Sequence, residues 1–227
     1  MTQVTLVRHG QANSNLLDYD QLSPLGQQQM HCLADFYRAH WANPARHSGT
    51  LQRHLQSDAA LTEILGESRT TQSNPAWNEF DFLDIVSQYR PEWQDPESLK
   101  YSMANEPDAR RVFLREFRKA LGVWMSAETT EAKENYTETW PAFNQRIRDA
   151  LLSLDPDHSH WVITSGGVIS ALIGQALGLN ADGVIKLNFS LNNASVTEVS
   201  IKGDRIHLNS FNQVQHFYGK DIFLSYF

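Results

Sequence analysis

Apolar and polar positions along the chain fall into strand-like runs near both ends and helix-like spacings between them. Val4-Thr5-Leu6-Val7 is a short β-rich run that stops abruptly at Arg8-His9-Gly10. After a polar loop, Ser23-Pro24 makes a helix start, a side-chain cap followed by proline at the first helical position. From Gly26 to about His40 the apolar set Met30, Leu33, Ala34, Tyr37 and Trp41 recurs at helical spacing. Ala45 to Leu51 reads as a weak strand or turn, and Arg53 to Leu65 as a second helix ended by Gly66. Pro75 to Phe82 is aromatic and alternates polar with apolar, the pattern of a short strand or extended rim.

From about Leu83 to Thr139 the character changes. Charged and aromatic residues mix irregularly with Pro91, Pro96 and Pro107, and a long helical pattern runs from Asp108 to about Met125. This stretch reads as a helical insertion over one end of a sheet. Trp140 to Leu154 is a further helix, with Phe143, Ile147, Ala150 and Leu151 on one face. Trp161 to Thr164 is a strand, Ser165-Gly166-Gly167 a glycine turn, and Val168 to Leu177 an apolar helix closed by Gly178. Ser195–Lys202 and Arg205–Phe211 form a hairpin around Gly203-Asp204. The strand–turn–helix unit at both ends predicts an α/β fold. The expected architecture is a three-layer α/β/α sandwich on a mostly parallel sheet, one domain over 1–227 with the insertion at about 83–139. Both turns would then meet at the carboxyl edge of the sheet, where such folds bind ligands.

Composition narrows the function classes. Of 227 residues, 41% are hydrophobic, enough for a sizeable core. No apolar run approaches the roughly 18 residues of a membrane span. Thr2 and Gln3 lead straight into the first strand without a basic and then apolar leader, so no secretory signal is expected. The single Cys32 excludes an intramolecular disulfide and fits a reducing, cytoplasmic setting. Inside a predicted helix it reads as a small core residue. A net charge of −7 without a basic stripe argues against a nucleic-acid partner.

An anion site in so acidic a chain needs arginines gathered locally. Arg8 offers a planar fork for phosphate oxygens, and His9 is a nucleophile or proton carrier near neutral pH. Gly10 would let the backbone approach a ligand. Read alone, the pair is equally a surface arginine beside a structurally satisfied histidine. Ser165-Gly166-Gly167 can present backbone N–H groups to an anion at a helix start, or can serve turn geometry alone. Arg53 stands at a predicted helix start, where a cation opposes the helix dipole and calls for a compensating anion. Glu79 and Asp81 lie among Trp77, Phe80 and Phe82, surroundings that raise a carboxyl pKa toward that of a general acid; an exposed acidic edge is the alternative.

Together these segments resemble the histidine phosphatase superfamily, the phosphoglycerate mutase-like proteins. Leu6 to Asn15 is similar to its opening signature, and Leu22-Ser23-Pro24-Leu25-Gly26 to its next motif. Leu51-Gln52-Arg53 resembles its second phosphate-pocket arginine, Trp77 to Phe82 its proton-donor segment, and Val162 to Val168 its last catalytic motif. The resemblance spans nearly all of the chain outside the insertion. It implies a metal-free and cofactor-free phosphatase acting on a small phosphate monoester through phosphohistidine on His9. Arg8 and Arg53 would hold the phosphoryl oxygens, and Glu79 would protonate the leaving oxygen and then activate water. Asn15 and Ser23 would line the mouth, Ser165 and Gly166 would face the phosphoryl group, and the insertion would cap the pocket and choose the substrate.

One position departs from the resembled pattern. The family's last motif carries a histidine where this chain has Ser165. His158 and His160 precede the strand and fall at its opposite end, so they do not substitute. A serine hydroxyl donates one neutral hydrogen bond in place of a charge-assisted one, and loss of one such donor costs about 10²–10³ in rate. A slow phosphatase, compensation by His216 or by an insertion arginine such as Arg110 or Arg111, and a phosphate-binding member without turnover all remain open. His216 by itself reads as a packing histidine. A mutase would need a cap that shields a phosphorylated intermediate from water, and no segment identifies one. Substrate identity and oligomeric state leave no mark in the sequence.

Overall fold

The computed structural model describes residues 1–13, 20–39, 42–66, 70–104, 106–127, 135–220 and 223–226. The elements are β1 (Thr2–Arg8), α1 (Pro24–Arg38), β2 (Ala45–Ser48), α2 (Gln52–Leu65), β3 (Gln72–Ser73), α3 (Phe82–Tyr89), α4 (Pro96–Met103) and α5 (Ala109–Ser126). They continue as α6 (Trp140–Leu152), β4 (His160–Thr164), α7 (Gly166–Leu177), α8 (Ala181–Ser190), β5 (Val196–Lys202) and β6 (Arg205–Gln213). The six strands form one sheet in the order β3-β2-β4-β1-β5-β6. β3, β2, β4 and β1 run parallel, and β5 and β6 continue the sheet antiparallel. The fold is therefore α/β with a mostly parallel sheet, as the alternation of strands and helices predicts.

Period-2 alternation in the strands divides the core into two layers. Val4, Leu6, Val162 and Val199 face one apolar cluster, shared with α6, α7 and the insertion helices. Val7, Trp161, Ile163 and Val196 face the other, closed by Met30 and Leu33 of α1 and Leu61 of α2. The insertion is not a loose appendage, because Trp93, Leu99, Leu121 and Trp124 are fully buried in the first cluster. Burying one such side chain stabilises by roughly 1.5–3 kcal/mol, so these residues tie the inserted helices to the sheet.

Local chemistry explains several boundaries. Ser23 caps α1 by accepting from Gly26 N–H, with Pro24 at the first position. Gly66 and Gly178 end α2 and α7 in the left-handed conformation, with φ of 64° and 65°. Asp108 caps α5 through Arg111 N–H.

Two expectations need correction. Pro75–Phe82 is not a strand: Pro75–Trp77 is a 3₁₀ turn, and α3 begins at Phe82. Gly166 and Gly167 do not form a turn before the helix but its first two residues. The two-residue β3 and helix α8 carried too short or too mixed a pattern to be read from sequence. Among the described residues, no helix is long and apolar enough to cross a membrane.

Candidate active site

Parallel pairing of β1 with β4, and of β4 with β2, brings their carboxyl ends to one edge. Arg8 is opposite Thr164, and Ser48 is opposite Ile163. The residues just beyond therefore converge: His9 after β1, Gly49 after β2, Ser165 after β4. The His9 backbone is fixed on both sides, donating to Thr164 O (2.9 Å) and accepting from Ala194 N–H (3.1 Å). Gly10 N–H donates to Ser57 Oγ (3.1 Å), whose own proton goes to Arg53 O (2.7 Å), tying the β1 turn to α2. A close approach of protein already requires glycine at position 10: a Cβ there would lie 2.3 Å from Gly26 O.

The His9 ring has a defined tautomer when neutral. Nδ1 lies 2.6 Å from Gly10 O, and since a carbonyl only accepts, Nδ1 carries the proton and Nε2 the lone pair. Burial, with the charges of Arg53, His54 and Arg8 adding to it, holds its pKa well below the usual histidine range. At neutral pH the ring is uncharged, with a lone pair on Nε2. Arg8 is buried and donates through Nη1 to Leu191 O (2.5 Å), its guanidinium packing over Gly166, where a Cβ would lie 3.5 Å from Nε.

Arg53, the second residue of α2, is also buried, and Asp20 meets its Nη1 at 2.7 Å. The same carboxylate accepts from Gln52 N–H (2.9 Å). Asp20 is thus the compensating anion expected for a cation at a helix start.

Glu79 is held at the start of α7. Its Oε2 accepts from Gly167 N–H (2.9 Å), so the helix N-terminus is offered to this carboxylate. The approach requires a glycine, because a Cβ on Gly167 would lie 2.0 Å from Glu79 Oε1. Burial raises the Glu79 pKa, opposed by the Gly167 hydrogen bond and the nearby arginines. The segment before it is anchored by Thr164 Oγ1 to Trp77 O (2.6 Å) and by Arg146 Nη1 to the carbonyls of Pro75, Ala76 and Asn78 (3.2, 2.8 and 3.1 Å). Phe80, the next residue, packs on Trp124, Phe143 and Phe117, with ring centroids 5.1, 5.5 and 6.4 Å away. The insertion helix α5 therefore braces Glu79.

A family model described as the histidine phosphatase superfamily (branch 1) matches residues 4–112 and 106–214. This chain belongs to that superfamily. Solved structures agree on the fold. A mutant phosphoserine phosphatase from Entamoeba histolytica in complex with phosphoserine is similar at TM-score 0.60 and 20% identity, over 95% of this chain and 99% of that one. A mycobacterial glucosyl-3-phosphoglycerate phosphatase complexed with VO3 gives 0.61 and 21%, over 93% and 99%. The α-ribazole phosphatase of Shigella flexneri gives 0.61 and 19%, over 93% and 96%. No curated protein sequence matches the chain.

Within this histidine phosphatase fold, the structure gathers Arg8, His9, Arg53, Glu79, Ser165 and Gly166. Asn15 lies outside the described residues. Ser23 is engaged in its cap and donates to Gln11 Oε1 (2.9 Å). Asp81 caps α3 through Leu83 and Asp84 N–H. His216 is buried, with its ring against Phe217 and Phe36. It is a packing histidine and does not compensate for Ser165. Arg110 and Arg111 are exposed on α5. His160 begins β4 and bonds His47 (3.0 Å) beside a cleft of about 560 Å³ at the opposite edge of the sheet. That cleft contains none of the residues gathered around His9.

Three residues of the site escaped sequence reasoning: His54, Ser57 and Arg146. His54 is wholly buried, 5.6 Å from His9 between ring centroids, with Nε2 2.6 Å from Ser165 Oγ. A signal for it exists, since Arg53-His54 repeats the Arg8-His9 dipeptide at the start of a helix. Ser57 and Arg146 act through backbone groups far away in sequence, which no local pattern reveals.

Proposed function

We propose that this protein is a phosphomonoesterase working through a phosphohistidine on His9, with positive charge supplied by Arg8 and Arg53 rather than by a metal. The observation that carries the reading is the neutral His9 ring, with Nδ1–H locked on Gly10 O and two arginines near it. Nε2 attacks phosphorus in line, the ester P–O bond breaks, and the leaving oxygen takes its electron pair and the Glu79 proton. Water then attacks phosphorus and gives its proton to Glu79. The P–N bond breaks, its electrons return to Nε2, and inorganic phosphate leaves. Arg8 and Arg53 stabilise charge on the equatorial oxygens in both steps; phosphate would displace the Asp20 carboxylate from Arg53.

A small phosphorylated molecule is the substrate class, supported by neighbours named for phosphoserine and glucosyl-3-phosphoglycerate phosphatases. The helices between Phe82 and Ser126 form the cap of a single domain and select the substrate. The lone Cys32 supports a cytoplasmic setting. The test compares wild type and His9→Ala on 4-nitrophenyl phosphate at several pH values. Loss of turnover and of acid-labile protein-bound phosphate in the variant is expected; equal turnover by both proteins would overturn the reading.

A further inference from the structure

The Ser165 position leaves the phosphoryl pocket one imidazole short on sequence grounds, yet a second imidazole is present. His54 reaches the pocket from α2. Its Nε2 stands 2.6 Å from Ser165 Oγ, and its ring centroid is 5.6 Å from that of His9. Both side chains are completely buried.

Three features set this pair apart from ordinary core packing. Ser165 occupies the N-cap position of α7 with extended backbone, φ −112° and ψ 168°, but its side chain makes no cap hydrogen bond. A capping serine contributes about 1 kcal/mol to its helix. Here the hydroxyl turns away from the helix to His54. Second, His54 Nδ1 has no hydrogen-bond partner among the described residues, a buried polar atom that costs about 1–3 kcal/mol. Third, the ring lies against the one residue type that leaves it space: a Cβ on Gly49 would be 2.1 Å from Nδ1. A purely structural role would be better served by an apolar ring.

We infer that Ser165 and His54 act as one unit on the phosphoryl group, the Ser165 hydroxyl donating to a phosphoryl oxygen while His54 Nε2–H donates to Ser165 Oγ and fixes its direction. The hydroxyl has one proton and two lone pairs, so it accepts from the imidazole and still donates forward. As negative charge grows on the transferring group, the imidazole behind the hydroxyl strengthens that donation. No bond to either residue forms or breaks. Ser165 is the group that touches substrate, and His54 is a positioning residue. An imidazole carried by α2 thus serves a position usually occupied by one following β4. The inference rests on the phosphomonoesterase reading above.

The test uses the full chain with 4-nitrophenyl phosphate and with orthovanadate as a phosphoryl mimic. His54→Ala and Ser165→Ala are each expected to lower kcat by about 10²–10³ with KM changed less than about threefold, and the double substitution to lower it no further. In the unmutated protein, orthovanadate is expected to shift the ¹⁵N signal of His54 Nε2, a readout independent of any variant's folding. An unmoved His54 signal on vanadate binding overturns the inference. So does a His54→Ala enzyme within threefold of wild type while His9→Ala is inactive. Full activity of His9→Ala would instead overturn the underlying reading.

Discussion

Replacing Glu79 with Gln removes one proton donor while leaving most of its packing in place. The amide oxygen of glutamine can still accept from Gly167 N–H, which Glu79 Oε2 does at 2.9 Å. The anchors of the segment belong to Thr164 and Arg146 and are untouched. Stability should therefore change by less than about 1 kcal/mol, the net worth of one typical hydrogen bond. Chemistry should change far more. A positioned general acid contributes about 10²–10⁴, or about 2.7–5.4 kcal/mol of barrier. That contribution depends on the leaving group: an alkanol needs the proton to depart, whereas an acidic phenol does not. Rapid-quench measurement of the first turnover separates the cases. In Glu79→Gln, alcohol release from an alkyl phosphate should fall by about 10²–10⁴, and phenol release from 4-nitrophenyl phosphate by less than about tenfold. Because the proposed mechanism also uses Glu79 to activate water, the aryl substrate should then show a burst followed by slow turnover, with phosphohistidine accumulating. In the wild type, alkyl phosphate turnover should decline as rising pH strips the proton that burial holds on Glu79. Equal first-turnover losses for both leaving groups would show that Glu79 is not the proton donor.

Gly167→Ala should inactivate the enzyme and destabilise it by about 1–3 kcal/mol, because its Cβ would lie 2.0 Å from Glu79 Oε1 and 2.4 Å from Phe80 Cε1, outweighing the roughly 1 kcal/mol that alanine adds to a helix; activity assays and urea melts measure both. Ser57→Ala leaves buried Gly10 N–H without its partner and should cost about 1–3 kcal/mol in urea unfolding, a loss under about 0.5 kcal/mol contradicting the link between β1 and α2. Acid should weaken the fold through His47 and His216, whose pKa values burial lowers to about 4. The unfolded chain takes up protons near pH 6.5 that the folded chain refuses, so stability is full above that value and declines as pH falls toward 4. From pH 8 to pH 5 each ring should account for about 2 kcal/mol, and His216→Phe should lose that much less than wild type; an identical pH dependence of the two proteins in urea melts would refute the assignment.

Patterns of period 2 and 3.6 were enough to place β1, α1, α2, α6, β4 and the final hairpin, because each buries one face against the sheet and the spacing records that burial. Ser23 with Pro24, and Gly66 and Gly178, marked helix ends through chemistry confined to a few neighbouring residues. β3 has only two residues, too few for a period, and Pro75–Trp77 mimics strand alternation because aromatics and polar residues also alternate along a rim. Arg8, His9 and Arg53 could be named from the sequence because each ends, follows or opens a regular element, and Glu79 because aromatic residues surround it in the chain. The resemblance to histidine phosphatases rested on the same local segments.

Other features needed the chain folded. Gly10 reads in sequence as room for a ligand, and its fit against Gly26 is a contact made only when α1 docks beside β1. Ser165 looked like the loss of an imidazole until α2 brought His54 within 2.6 Å of it across 111 positions of sequence. Sequence alone determined most of the elements and the candidate residues at their ends, since these depend on periodicity and on neighbours along the chain. Tertiary structure alone decided which side chains face His9, because parallel strands bring their ends together regardless of how far apart those residues lie in sequence.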